Sequence, residues 1–486
     1  MSSTSRARVI AQAAGPILFV LALLLAPAEL DPAATRVLGL GLWMGVWWVT
    51  EAVPLAATSL LPIVILPLTG ARTAREATEP YGNELVFLFL AGFVIAAALE
   101  RWHSHSRMAY GLVAAIGTST RRVVLGVMVA TGFVSMWISN TATAAMMFPI
   151  TLAIAELFGR DQAGHRTRMA LLLGMAYAAS IGGMATLIGT PPNLVVAAAV
   201  REVTGAPLDF GRFMLIGLPQ TLVLLPLTWA LLVFVIFRGG ANLDTSAREV
   251  IEERRRALGP LQGGERVVLT VFVLTALAWF FREPKDLGGF TIPGLTQLAP
   301  RLTDTGIGIL ASVLLFTLPG RAPDGTIRPL LRWEEARTLP WDVLLLFGGG
   351  LSLASAMDAS GLTAWIAAAL TGLRGLPLPL LFLGIAVVVV ALSELASNLA
   401  VATMMMPLAV SLAAAVDQPP EVLMLVAGFS ASLGFALPVA TPPNAIAFGS
   451  GEIPMREMIR AGLVIDLAGI LVVSILLAIL TPIVLN

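Results

Sequence analysis

The sequence predicts an all-α polytopic membrane protein. Three observations carry that prediction. Of the 486 residues, 57% are hydrophobic and 12% charged, with a mean hydropathy of +0.88, whereas a soluble domain is about a quarter charged. Apolar runs of about 20 residues, the length that crosses a hydrocarbon core, recur along the whole chain. The short alternating segments of a membrane β-barrel do not occur.

The same composition excludes several classes. Formal net charge is zero, so there is no basic footprint for nucleic acid. The chain has no Cys, which removes disulfides, thiolate metal sites and Cys nucleophiles. Its three histidines, His103, His105 and His165, fall in polar connecting stretches and read as solvated loop or interface residues.

The elements follow in order. Arg6 and Arg8 precede an apolar run that ends near Ala26-Pro27-Ala28, a pattern that imitates a signal peptide. Gly15–Leu25 reads instead as the core of a first span, because many spans follow it. The longest polar stretch, about Arg238–Arg266 with Arg254-Arg255-Arg256, divides the chain near its middle.

The two halves repeat one another. Ser135-Met-Trp-Ile-Ser139-Asn140-Thr141 leads on to Pro149, and 258 residues later Ser393-Glu-Leu-Ala-Ser397-Asn398-Leu399 leads on to Pro407. Both Ser, the Asn, two Met and the Pro keep register. At the same offset Glu84 matches Asp342, and Glu100 matches Asp358; these acids lie near segment ends and read as caps or packing partners. Further on, at an offset of 251, Gly183 matches Gly434 and Thr190-Pro191-Pro192-Asn193 matches Thr441-Pro442-Pro443-Asn444. A threading with the N-terminus inside places 21 of the 30 Lys and Arg on the cytoplasmic side and leaves Arg72, Arg75, Lys285 and Arg374 among those outside. It predicts about 11 transmembrane helices, two re-entrant hairpins and an outside C-terminus. The two repeats are then inverted. The first occupies residues 1–240, with spans 1 to 6, a hairpin at about 123–157 and an unwound span at 189–193. A cytoplasmic linker covers 241–266. The second repeat occupies 267–486, with spans 7 to 11, a hairpin at about 379–415 and an unwound span at 440–444.

Chemistry explains the motifs. The apolar runs Val123–Ile138 and Ala142–Leu157 flank Ser139-Asn140-Thr141, and each is too short to span at 1.5 Å per residue. Two short helices meeting at a polar tip make a hairpin, with Ser or Asn capping the second. A Pro-Pro pair removes two N–H donors and disfavours helix at the preceding residue, so each Thr-Pro-Pro-Asn should unwind a span. Bare backbone at that depth survives only where it is buried or lines a wet cavity. Helix N-termini favour an anion, and hydroxyl, amide and carbonyl oxygens suit Na⁺. Ordinary helix contacts would explain one such motif, since small residues and Pro are common in spans. Four motifs in matched pairs point to a transport site.

These residues resemble the divalent anion/sodium symporter family. The Ser-Asn-Thr tip, Gly-Thr-Pro-Pro-Asn at 189–193, Leu437-Pro-Val-Ala-Thr-Pro-Pro-Asn-Ala445 and Trp48-Val-Thr-Glu-Ala-Val-Pro-Leu55 carry the resemblance, which covers nearly the full chain. It implies Na⁺-coupled uptake of C4-dicarboxylates such as succinate, malate or fumarate. It also implies a homodimer in the cell (inner) membrane, with a scaffold and an elevator-type transport domain. By motif match, the first sodium site takes Ser135, Ser139, Asn140 and Gly189; the second takes Ser393, Ala396, Asn398 and Ala440. Asn140, Thr141, Thr190 and Pro191 hold one carboxylate, and Asn398, Leu399, Thr441 and Pro442 surround the other. Leu399 departs from the Thr often found there in bacterial members, which bears on specificity. Glu394 faces Met136 in the repeat and reads as a hydrogen-bond acceptor, a tuner of sodium binding or a proton carrier.

Other functions fit less well. A channel would need a continuous pore with a selectivity ring. An enzyme lacks a zincin motif or a His-containing dyad inside a span, and ATP-driven transport lacks a Walker A motif. Sodium-independent exchange, and carriage of citrate or sulfate, stay open as alternatives.

Overall fold

Helices account for nearly every apolar run in the computed structural model, which describes residues 3–27, 29–116, 119–159, 161–238, 263–286, 291–321 and 325–485, with a few isolated positions between 253 and 261. Most of the expected linker at 241–266, with Arg248, Arg254 and Arg255, lies outside the described residues, as does Arg160. Among the described residues, seven helices are long and apolar enough to cross a membrane. Shorter apolar helices at Leu55–Leu68, Asp304–Thr317, Leu378–Ser393 and Pro420–Ala431 accompany them. The chain is thus an all-α polytopic membrane protein. Its described β-structure is two short ribbons, Lys285–Asp286 with Thr291–Ile292 and Pro319–Arg321 with Ile327–Pro329.

Each predicted hairpin is a helix pair with a sharp tip. Thr120–Ser135 and Asn140–Glu156 form the first, Leu378–Ser393 and Asn398–Val416 the second. Ser139 caps the second arm through Oγ, which accepts from the Ala142 N–H at 3.3 Å. Ser397 sits at the same place without a side-chain cap bond. One arm departs from expectation. Asn398–Val416 has 19 residues and the composition of a span, so length alone does not make it re-entrant.

The two unwound spans also differ in detail from expectation. Helix Gln162–Gly183 stops seven residues before Pro191–Thr204 begins, and Pro420–Ala431 stops ten before Pro442–Phe448. The breaks lie upstream of the Pro-Pro pairs, not across 189–193 and 440–444. Each pair occupies the first two helical positions, where a missing N–H costs nothing and the fixed φ suits a helix.

Packing then brings the breaks together. Helix Gln162–Gly183 packs on both arms of the first hairpin and on Pro442–Phe448, and Pro191–Thr204 packs on Pro420–Ala431 and Asn398–Val416. The first tip is anchored by Trp137, whose ring meets Phe272 edge-on at 5.0 Å and stacks toward Phe210, itself stacked on Trp279 at 4.8 Å. Ion pairs fix the helix ends: Arg201 with Glu84 at 2.6 Å, Arg107 with the buried Glu265 at 2.6 Å, and Arg282 with Asp304 at 2.7 Å. His105 is buried, 8% exposed, with Nδ1 3.0 Å from the Leu99 carbonyl. Its expected solvated setting is therefore not the observed one: His105 opens the helix Ser104–Ile116, and its ring is held at the Leu99 carbonyl near the end of the preceding helix.

Candidate functional site

The two tips and two breaks meet at one cavity of about 970 Å³. Asn140, Thr141, Thr190, Pro191, Asn398, Leu399, Thr441 and Pro442 all line it, with Ser139 and Ala440. Ser135, Gly189, Ser393 and Ala396 stand behind this surface: both Ser are fully buried and Ala396 is nearly so. Among the described residues no Lys, Arg or His lines the cavity, whereas Glu51, Glu100 and Asp342 do. Asp342 and Glu100 both lie in terminal helical turns, as expected, Asp342 in the first turn of Trp341–Ala359 and Glu100 in the last turn of Glu84–Arg101, and both also line the cavity. Glu84 is the packing partner the sequence suggested.

Around the first tip, oxygen atoms crowd. The Ser135 hydroxyl lies 2.8 Å from Asn140 Oδ1 and 2.7 Å from the Ala179 carbonyl oxygen. A hydroxyl has one hydrogen, so it can donate to only one of these acceptors at a time. The other close oxygen pair lacks a proton, and a hard cation would relieve it. A Cβ added to Gly183 would stand 2.3 Å from Asn140 Oδ1, and one added to Gly189 would stand 2.5 Å from the Gly183 carbonyl oxygen. Glycine at both positions keeps the broken helix against the tip. Asn140 Nδ2 reaches Thr190 Oγ1 at 3.5 Å, which links tip to break.

Around the second tip, Ser393 donates to the Ala431 carbonyl at 3.2 Å. Asn398 Oδ1 is buried without a hydrogen-bond partner, an arrangement that costs free energy unless a ligand supplies the missing contact. Gly434 has φ of +133°, a conformation open to glycine, and an added Cβ there would meet the Ser393 carbonyl oxygen at 3.4 Å and Ala440 Cβ at 3.5 Å. Leu399 is 8% exposed and closes one wall.

Two residues that the motif carried but the site assignment left out hold the breaks in shape. Asn193 Nδ2 donates to the carbonyls of Gly183 at 2.8 Å and Thr186 at 2.7 Å. Asn444 Nδ2 donates to those of Gly434 at 3.0 Å and Leu437 at 3.1 Å. The spans back to the acceptors are identical, ten and seven residues. Unwinding frees carbonyls that an amide NH₂, with two donors, can bridge. The sequence signal was available: both Asn stand at the same place after Pro-Pro.

A helical membrane protein whose paired tips and broken helices converge on one cavity is, by class, a membrane transporter. The chain belongs to the divalent anion/sodium symporter family: residues 6–485 match the family described as the sodium:sulfate symporter transmembrane region. It is 39% identical over 476 residues to the sodium-dependent dicarboxylate transporter SdcS of Staphylococcus saprophyticus, a match covering 96% of this chain and 90% of that one. It is 40% identical over 480 residues to SdcS of Staphylococcus aureus, covering 97% and 91%. The crystal structure of the Alcanivorax borkumensis YdaH transporter is 15% identical, with a TM-score of 0.47, over 90% of this chain and 98% of that one.

Proposed function

We propose that this protein is a secondary carrier that couples Na⁺ entry to uptake of C4-dicarboxylates such as succinate, malate or fumarate. One observation carries the reading: both Ser-Asn tips and both Thr-Pro breaks border one cavity that, among the described residues, has no basic side chain. A dianion there needs co-bound cations, and the crowded oxygens of Ser135, Asn140 and Ala179 offer one a place. The SdcS relatives are named as sodium-dependent dicarboxylate transporters.

In this reading Ser135, Ser139, Asn140 and Gly189 hold one Na⁺, and Ser393, Ala396, Asn398 and Ala440 hold another. The substrate lies between Asn140-Thr141 with Thr190-Pro191 and Asn398-Leu399 with Thr441-Pro442. Pro191–Thr204 presents a positive helix end. Pro442–Phe448, with seven residues, contributes chiefly through Thr441 and its N–H groups.

The repeats are residues 1–240 and 267–486, joined by a cytoplasmic linker at 241–266. The protein is a homodimer in the cell (inner) membrane, N-terminus inside and C-terminus outside. The cavity runs from the tips toward Glu51, Glu100 and Thr338, which this threading places on the cytoplasmic side. The state described is then inward-facing, and an elevator movement of the tips and breaks against the remaining helices gives outward access.

A second reading, carriage of another dianion such as sulfate or citrate, is favoured by Leu399, which removes a hydrogen-bond donor from one wall. Reconstitution into proteoliposomes decides. Labelled succinate uptake should require an inward Na⁺ gradient and be blocked by excess fumarate but not sulfate. Uptake indifferent to Na⁺ but dependent on internal dicarboxylate would establish exchange instead.

A further inference from the structure

The two breaks are supported by different chemistry, although their sequences repeat. In the first, the Met184 and Ala185 N–H groups donate to the main-chain carbonyls of Ile181 and Gly182 at 3.2 and 3.0 Å. Their counterparts in the second, Phe435 and Ala436, find no such carbonyls. Phe435 N–H donates to Asp466 Oδ1 at 3.1 Å. Ala436 and Leu437 N–H groups donate to the two oxygens of Glu394, each at 2.8 Å. Two carboxylates thus hold three successive N–H groups. Both are buried, Glu394 8% and Asp466 4% exposed, and they adjoin each other and the buried Tyr177. At the matching places in the first half stand Met136 and Thr221, whose hydroxyl donates to the Ile181 carbonyl at 2.9 Å.

Burying two carboxylates in a membrane is costly, so they need a return. Part of it is the three N–H bonds, stronger for being charge-assisted. The helices Leu378–Ser393 and Pro420–Ala431 that flank the clamp carry no Lys or Arg. The remaining negative charge therefore lies beside Ser393, one residue from Glu394, and beside Gly434, which rests against Ser393 and Ala440.

We infer that Glu394 and Asp466 are positioning residues of the second sodium site: they clamp residues 435–437 in the unwound form and, as adjoining carboxylates that share a proton, lend the site one negative charge that the first site lacks. This rests on the sodium reading above. The second site then binds Na⁺ more tightly than the first, and filling it orders the break before substrate enters.

The test compares wild type with Glu394→Gln and Asp466→Asn in proteoliposomes, after size-exclusion shows each to be folded. Each variant should raise the half-saturating Na⁺ concentration on the order of tenfold while leaving the succinate KM at saturating Na⁺ within about twofold, as loss of a ligand-orienting partner does. Glu394→Asp, which keeps the charge, should lie nearer wild type. A folded variant with wild-type Na⁺ activation overturns the inference, and so does a loss of maximal rate or thermal stability with no shift in Na⁺ dependence. Hydrogen exchange on the wild type gives a measurement independent of the variants. Amides 435–437 should exchange slowly without Na⁺ and more slowly with it, and rapid exchange in Na⁺ overturns the clamp. If wild-type uptake ignores Na⁺, the functional reading fails. If wild type is Na⁺-driven and the variants match it, only this inference fails.

Discussion

Ser135 Oγ lies 2.8 Å from Asn140 Oδ1, and its one hydrogen is contested by the Ala179 carbonyl at 2.7 Å. If Na⁺ resolves that contest, Ser135→Ala removes a ligand without removing a needed donor. The expected result is a rise in half-saturating Na⁺ on the order of tenfold at unchanged thermal stability, read from uptake curves and a melting assay. Unchanged Na⁺ activation would remove Ser135 from the site.

Asn140→Ala and Asn398→Ala should each abolish sodium-driven uptake while leaving the protein folded. Asn398 Oδ1 has no protein partner, so its removal strands nothing. Wild-type uptake in either variant would refute the tip assignment.

Asn193→Ala and Asn444→Ala should behave differently. Each strands two buried carbonyls, a loss of about 1–3 kcal/mol for each group left unpaired. Both variants should melt at lower temperature as well as transport poorly. A transport defect at full stability would make these Asn residues substrate ligands rather than braces.

Gly183→Ala should abolish uptake, because its Cβ would meet Asn140 Oδ1 at 2.3 Å. Gly205→Ala, at an open turn with φ of +71° and nothing within 4 Å of an added Cβ, is the control. It should cost about 1–2 kcal/mol in backbone strain and leave Na⁺ activation unchanged. Equal uptake in the two variants would contradict the close approach of tip and break.

Leu399→Thr restores a hydroxyl to the cavity wall. The expected outcome is a changed preference between succinate and sulfate, of roughly tenfold for one well-placed hydrogen bond, measured by competition. An unaltered preference would free Leu399 from any part in specificity.

Much of this was legible in the sequence because the repeat is local. Ser-Asn tips and Pro-Pro pairs are short strings, and polar residues in apolar runs stand out. The exact place of each break was not legible, since Pro can end a helix or begin one, and only the fold decides. Nor was the clamp: Glu394 was visible as an acid without a partner in the repeat, but Asp466 lies 72 residues further on, on the helix Met455–Val484. His105 was misread because its burial depends on how the start of Ser104–Ile116 meets the end of the preceding helix. The 19-residue arm Asn398–Val416 shows that span length and topology are separate properties.

The cavity's lack of basic side chains among the described residues has a consequence for energy conservation. A fixed Arg would let an empty carrier pick up a dianion and cross with it, dissipating the gradient. Here the three acids Glu51, Glu100 and Asp342 repel that cargo, and only bound cations make it welcome. Without its ions the site offers a dianion only a helix end and neutral Asn and Thr side chains, so its hold on the load follows its hold on Na⁺.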